Sequence, residues 1–434
     1  MARIAMIVGN PCNPDNRVIK EAEALAANGH TVQVFCTARA RVPSEETRNG
    51  VSYARYGRVY EEAAGSHKIS YRLQQRSLTE ARRTVDLAAS MLWPVRHALA
   101  SYQLIQKFQT FTRDFAAPVA AFRPDIVHAH DLNCLSAGAA AAKRAGARLV
   151  YDSHELETHR NPPLPPLVRM VAGAIEQRLI RRAHAVITVS EPIANHLRDE
   201  YAIKRPTVIL NAPNFEDAAQ SDRCIRADAG VTDGAVLGVY VGLVTINRGV
   251  ETLIDALARL PHVTIAAVGP VNAKMIGGVL ARAERAGVAE RFKLLPPVPP
   301  EKVVSYIADA DFGLNPLIPI TLSYQYAMPN KLFEMALAGL PIVNSDAAES
   351  ARFVRENQLG VIFRHSDPEA CARAISEVSG DLKRYRPSPD RLAELRAKFS
   401  WQRQADELRR LYGGLLARPS AQATASDSLA ASPI

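Results

Sequence analysis

Twice along this chain, short runs of continuously apolar residues alternate with helix-length segments, and that alternation limits the fold more than any other feature. The first run, "RIAMIVGN", reads as a strand buried on both faces; residues 17 to 28 then carry helical spacing closed by Asn28 and Gly29, and "TVQVF" reads as a second strand. That is one βαβ unit. A third strand is expected at "VSYARYG". After a long interruption, about residues 60 to 118, the alternation resumes: "DIVHAH", a helix over 134 to 145, "RLVYDSH", the Pro-rich "NPPLPP", a helix over 167 to 182, "AVITVS", the helix "EPIANHLRDEY" and "TVILN".

The second half repeats the pattern with fewer breaks. Strands "VLGVYVG", "VTIAAVG", "FKLLP", "FGLNPL", "PIVNS" and "GVIF" alternate with helices near 249 to 260, 272 to 286, 300 to 309, 330 to 339, 348 to 357 and 367 to 378. Such alternation predicts α/β architecture, with two Rossmann-like, doubly wound parallel-sheet domains. Ligands of open parallel sheets bind beyond the carboxyl ends of the strands, so two such domains predict a central cleft. A length of 434 residues also fits two cores. The expected division is 1–214, 215–395, and a polar tail over 416–434 too poor in apolar residues to order itself.

Charge and cysteine use narrow the function classes. The chain has 53 Lys+Arg against 44 Asp+Glu, a balance of +9, which favours anionic partners. Sparse aromatics and the lack of any zinc-finger or RNA-binding signature place nucleic acid low. Cys12, Cys36, Cys134, Cys224 and Cys371 are scattered and odd in number, which points to a reducing cytoplasm rather than a disulfide framework. "MARIAMIVGN" reads as a first strand, not a signal peptide, and no run reaches the roughly 18 apolar residues of a membrane span. The interruption is basic: Lys68, Arg72, Arg76, Arg82, Arg83, Arg96, Lys107 and Arg113 face only Glu80, Asp86 and Asp114, and "MLWPVRHAL" adds an apolar tip. It reads as a helical pair, either solvated on its polar face or in peripheral contact with an anionic membrane at its inner face.

"PNKLFEMALAGLPIV" raises a sharper question. Its apolar spacing and Gly339 with Pro341 predict a short helix before a strand, yet Lys331 sits in the first turn, against the helix dipole. An anion at the helix start resolves the conflict. Pro329 pre-sets the backbone, Asn330 is the expected cap, and the free N–H groups with Lys331 would hold a diphosphate while Glu334 accepts from a ribose diol. The alternative is an ordinary surface Lys–Glu pair. "GVYVGLVTINRGVETLIDAL" adds Gly242 and Arg248 at the carboxyl edge of the same sheet, a second cationic loop.

In the first half, "HAHD" places His128 and His130 on the same side of a strand end, followed by Asp131; "YDSHELE" adds Asp152, His154 and Glu155. These groups suit a two-His carboxylate metal site or the hydroxyl-reading groups of a sugar site. Asp15, Asn16 and Arg17 stand at the first strand-to-helix turn. The Asp309–Asp311 pair precedes a strand at a helix end and reads as structural.

The stretches "NPDNRVIKEAEALAANGHTVQVF", "DIVHAHDLNCLSAG", "YDSHELE", "ITVSEPIANHL", "VILNAPNF", "RGVETLIDAL" and "PNKLFEMALAGLPIV" together resemble, in order and over about residues 1 to 380, the family 4 glycosyltransferases with the GT-B fold. That resemblance implies retaining transfer of a sugar from a nucleotide diphosphate sugar, UDP- or GDP-linked, to a glycan, lipid-linked or small-molecule acceptor. It implies no metal or other cofactor, and a final helix, about 396 to 415, crossing back to the first domain. By position, Glu334 matches the second glutamate of the family's E-x7-E motif, Arg248 and Lys331 match cations near the diphosphate, and His130 matches a histidine near the reacting sugar. Gly242, Asn330 and Tyr326 fall on the donor side, and Asp15, Asn16, Arg17, His128, Asp131 and Glu155 on the acceptor or cleft side. Two positions depart: Tyr326 replaces the motif's first glutamate, and Leu243 stands where many members have arginine. The departures keep two rivals open, a non-catalytic nucleotide-sugar-binding subunit and an epimerase or hydrolase on the same fold. A dinucleotide-dependent oxidoreductase is disfavoured, since no G-x-G-x-x-G follows the first strand.

Overall fold

The computed structural model describes residues 1–56, 82–214, 221, 223–232 and 234–417, with side chains for all of these except 82–96. The chain divides into two compact units: Met1–Thr188, Ala194–Val208 and Leu408 onward form the first, and Val189–Ile193 with Ile209–Glu407 form the second.

The first unit is built on an eight-stranded sheet: β1 (Arg3–Ile7), β2 (Thr31–Thr37), β3 (Glu45–Arg48), β4 (Val51–Tyr56), β5 (Ile126–His130), β6 (Arg148–Ser153), β7 (Ala185–Thr188) and β8 (Thr207–Val208). Its order is β3-β4-β2-β1-β5-β6-β7-β8, parallel except for β3. The central strands are buried on both faces, which is why they read as unbroken apolar runs. The helix Asn16–Ala27 follows β1; Asp15 caps it by accepting from the Val18 N–H at 3.4 Å, and Gly29 leaves it at φ 83°. β3 escaped the sequence reading because "EETR" has no apolar face. The signal was the turn: Asn49 (φ 50°) and Gly50 (φ 77°) form the two-residue connection of a hairpin.

The basic interruption lies partly outside the described residues, and its expected tip is placed differently. Arg82–Ala121 is one helix of 40 residues, about 60 Å long at 1.5 Å per residue, and the expected tip "MLWPVRHAL" runs inside it as continuous helix. Lys68, Arg72, Arg76 and Glu80 lie outside the described residues. The carboxyl half of the helix is anchored by Phe108, Phe111, Phe115 and Val119, all buried, with the Phe111 and Phe115 rings stacked at 4.2 Å.

The second unit carries a six-stranded, wholly parallel sheet: β9 (Val236–Val241), β10 (Val263–Val268), β11 (Phe292–Leu295), β12 (Phe312–Asn315), β13 (Ile342–Ser345) and β14 (Gly360–Phe363), in the order β11-β10-β9-β12-β13-β14. Period-2 alternation gives it two cores. Leu237, Val239 and Val241 pack with Leu332, Phe333 and Met335 on one face, while Tyr240, Ile265 and Phe312 pack with Ile254 and Leu257 on the other. Asp311 is structural as expected: Arg226 Nη2 lies 2.8 Å from its carboxylate, and the Leu237 N–H donates to it at 2.7 Å.

The helices Pro389–Phe399 and Trp401–Ala417 end the described chain, the second of them where a final helix over about 396 to 415 was expected. The residues of the last helix are shared: Trp401–Glu407 count with the second unit and Leu408–Ala417 with the first.

Each sheet reverses direction once, between β1 and β5 in the first unit and between β9 and β12 in the second. The loops leaving those strands are where an open α/β sheet offers a ligand crevice.

Candidate functional site

In the first unit the reversal gathers charged groups from four elements. Arg17, on the helix after β1, is buried and binds Asp152 at the end of β6 with two nearly parallel bonds, Nε to Oδ2 at 2.8 Å and Nη2 to Oδ1 at 2.9 Å. One turn along the same helix, Glu21 lies 3.1 Å from Arg17 Nε. His130 Nδ1 approaches Asp152 Oδ2 at 3.3 Å, and His154 Nε2 reaches the same oxygen at 3.1 Å. Asp131 ends this chain of contacts, 3.4 Å from His154 Nδ1 and accepting the His154 backbone N–H at 3.2 Å.

The electrostatics follow from that geometry. Burial disfavours charge on Asp152, but Arg17 and His154 outweigh it and hold its carboxyl well below the usual range. Burial also opposes charge on His154, yet Asp131 and Asp152 push its pKa up to about 10, so it is an imidazolium at neutral pH. For Glu21 burial wins over Arg17, and its carboxyl rises to about 7. His128 is driven well below its ordinary value by burial and by His130 beside it. Glu21, His128, His130 and Asp152 each offer a ligand atom within 4.8 Å of the others, the spacing of a metal site. The Arg17 guanidinium already stands against both carboxylates as the cation of that cluster, which disfavours a metal there.

Of the residues expected on this side, Arg17, His128 and His130 are 3 %, 0 % and 0 % exposed, so all three are buried within the unit. Asp15 is engaged as a helix cap and by Asn10 Nδ2 at 2.7 Å, with Asn16 beside it as the first helical residue. Glu155 lies in the loop after β6, its carbonyl accepting from Ser153 Oγ. His130 has Nδ1 turned to Asp152, while its Nε2 is buried without a hydrogen-bond partner among the described residues.

In the second unit the reversal gathers cations. Gly242 ends β9 at φ 116°, with its N–H on the Val268 carbonyl; a Cβ there would come 3.7 Å from Lys331 Cε. Lys331 is 8 % exposed, which sets aside the alternative of an ordinary surface Lys–Glu pair, and its Nζ rests 3.7 Å from the centroid of the Tyr240 ring. Burial, and then Arg248, drive its pKa well below the ordinary value, while Glu334 pulls the other way. Arg248 lies over Tyr324 at 5.2 Å, and its Nε is buried without a hydrogen-bond partner among the described residues. Among the described residues neither Arg248 nor Lys331 makes an ion pair. The next residue, Gly249 (φ 78°), starts the helix Val250–Leu257, and a Cβ on it would fall 1.9 Å from the Pro316 carbonyl oxygen after β12.

The helix Asn330–Leu337 corrects one expectation. Pro329, not Asn330, is the cap, and no side chain satisfies the first-turn N–H groups; Asn330 is the exposed first helical residue. Glu334 is half-buried one turn on. Tyr326, also half-buried, accepts Ser190 Oγ on its carbonyl at 2.8 Å. Strain marks both reversals: Cys12 (φ 52°), Asp131 (φ 61°) and Asn247 (φ 63°) hold left-handed backbone in the loops after β1, β5 and β9. Sequence reasoning passed over Tyr240, Glu21 and Tyr412, which touch the candidate residues from distant positions.

Comparison with known proteins agrees with this geometry. Residues 16–216 match the family described as Glycosyltransferase Family 4, and residues 235–381 match Glycosyl transferases group 1. Relatives named D-inositol 3-phosphate glycosyltransferase include that of Mycobacteroides abscessus, 27% identical over 349 residues covering 75% of each chain. The one from Nocardia farcinica is 25% identical over 309 residues, 67% of each. Among solved structures, sucrose-phosphate synthase from Thermosynechococcus elongatus superposes with a TM-score of 0.69 at 19% identity, covering 96% of this chain and all of that one. HepE from Anabaena, in complex with UDP and glucose, gives 0.65 at 16% identity over 95% of this chain and 100% of its own.

Proposed function

Because the chain belongs to glycosyltransferase family 4 and has the GT-B fold, we propose that this glycosyltransferase takes its sugar from a UDP- or GDP-linked donor and transfers it with retention at the anomeric carbon. The observation that carries the donor assignment is the cation pair of the second unit: Lys331, buried and free of any ion pair, beside Arg248 at an uncapped helix start. A buried cation without a counter-ion is unfavourable unless a ligand supplies one. A diphosphate supplies it, and Glu334 one turn further is placed to accept from the ribose hydroxyls. HepE, of like fold, binds UDP, which supports a uridine donor.

In the reaction, charge builds on the departing nucleotide diphosphate. Arg248, Lys331 and the free N–H groups at Asn330 and Lys331 stabilise it, the fixed electrostatics that lower many enzymatic barriers. The leaving phosphate accepts the acceptor's proton, so no strong protein base is required. No metal or cofactor is assigned, because the two cations fill the role a metal would take. His130, with Nε2 unpartnered, is assigned to the hydroxyls of the transferred sugar. Tyr326 in place of a glutamate alters sugar contacts and leaves the leaving-group chemistry intact.

The acceptor is a glycan, lipid-linked or small molecule. No described helix is long and apolar enough to cross a membrane. Leu99, Tyr102 and Ile105, 54%, 57% and 38% exposed at three-residue spacing on the long helix, favour peripheral contact with an anionic cytoplasmic leaflet. Flotation with phosphatidylserine vesicles against phosphatidylcholine vesicles tests that contact.

The primary test is calorimetric titration of UDP, GDP, ADP and their sugars into wild type and Glu334→Ala, followed by NMR of the product anomer. One nucleotide series should bind, weaken in the variant and yield a product with the donor's anomeric configuration. Binding by none of them would sink the donor assignment, and an inverted product would sink retention.

A further inference from the structure

We infer that Tyr412, on the final helix, is a positioning residue for His130 and acts through His128. Tyr412 and His128 are both 0 % exposed, and the tyrosine hydroxyl lies 2.8 Å from His128 Nδ1. The two are 284 positions apart in sequence. His128 in turn stacks on His130, with ring centroids 4.2 Å apart and planes 21° from parallel. This inference rests on the sugar-side role proposed above for His130.

The hydrogen bond fixes a tautomer. Burial, with Glu21 and Asp152 nearby, pushes the Tyr412 hydroxyl well above its ordinary pKa, so it keeps its proton and donates. Nδ1 of His128 therefore accepts, and a singly protonated ring carries its proton on Nε2. That nitrogen faces Glu21 Oε2 at 3.8 Å and Asp152 Oδ2 at 3.9 Å, the two carboxylates on either side of Arg17. A reversed tautomer would turn a lone pair toward the carboxylates and set N–H against O–H at Tyr412. The tyrosine thus holds the ring at Nδ1, while Nε2 faces the two carboxylates at a distance longer than a hydrogen bond.

A fixed His128 fixes His130. The stacked face limits the tilt of the His130 ring, Asp152 holds its Nδ1, and the one ring atom left over is Nε2, buried without a partner. Without the tyrosine hydroxyl, His128 Nδ1 becomes an orphaned buried acceptor. Relief requires a ring flip or a shifted proton, and either disturbs the face on which His130 lies.

The test is Tyr412→Phe, which keeps the ring and removes only the hydroxyl. Long-range proton–nitrogen NMR of the histidine rings should show His128 protonated on Nε2 in the wild type and a changed Nδ1 signal in the variant, with the His130 ring signals moving too. UDP release from UDP-glucose should fall roughly five- to tenfold in kcat, the size of one lost buried hydrogen bond, with KM within about twofold. In a His128→Asn background the same change should have little further effect, because interacting positions are not additive. An unchanged His128 tautomer in Tyr412→Phe overturns the inference whatever the rates do. So does an equal loss of kcat in both backgrounds. Full turnover by His130→Ala overturns the His130 reading instead and leaves the tautomer readout to decide the Tyr412–His128 pair.

Discussion

The two sheets reverse in the same way, but the charges gathered at the two reversals are arranged in opposite ways. At β1 and β5, Arg17, Asp152, His154 and Asp131 form a chain of alternating charge in which each group faces an opposite one. At β9 and β12, Arg248 and Lys331 make no ion pair among the described residues. The first arrangement is compensated by the protein's own side chains. The second lacks the counter-charge that the proposed diphosphate would supply. The two sheets thus share a topology and differ in charge compensation, and the proposed donor assignment rests on that difference.

The comparison can be broken from either side. Removing one member of the compensated network should have the largest effect on folding: Asp152→Ala takes the bidentate partner from the buried Arg17, leaving Glu21 beside it, and should lower stability by about 3–5 kcal/mol in urea unfolding. Removing a member of the open pair should do the reverse. Lys331→Met takes away a buried, uncompensated cation, so stability should hold or rise while turnover falls roughly 10²- to 10³-fold, and Arg248→Ala should act likewise on turnover. Retained activity in both variants would dismiss the pair as the leaving-group site. Gly249→Ala should cost about 1–3 kcal/mol, because the position is left-handed and a Cβ meets the Pro316 carbonyl; an unchanged thermal midpoint would show that the loops after β9 and β12 are not held together there.

The smallest effect concerns pH. The folded-state pKa of His154, at about 10, lies above its unfolded value of 6.5, so its contribution is fully present below pH 6.5 and is lost as pH rises toward 10. The charged Asp131, Asp152 and Arg17 and the imidazole of His130 face it. Urea midpoints of the wild type should decline across that window, and His154→Gln should flatten the decline. A variant with the wild-type slope would remove His154 from the charge network.

The fold was largely legible because parallel strands buried on both faces leave long apolar runs, and β1, β5, β9 and β12 all do so. The polar edge strand β3 left no such run and was marked only by its Asn49-Gly50 turn. Lys331 was legible as an anomaly, a cation in the first turn of a helix. Its burial against Tyr240 was not, since that contact depends on how the helix packs on β9. Arg17 and His128 were legible as residues near a strand end, but exposure is a tertiary property, and both turn out to be buried. Tyr412 had no local signal at all. Its partner is on β5, and a tyrosine in an amphipathic helix looks like ordinary core.

The membership of the final helix bears on the order in which the chain can be completed. Residues 1–188 are made before the body of the second unit, yet the hydroxyl that closes on His128 belongs to residue 412 and is made after it. The first unit is thus begun before the second and completed after it. A fragment ending at Val208 would contain all eight strands of the first sheet and still lack the partner that sets its histidine pair.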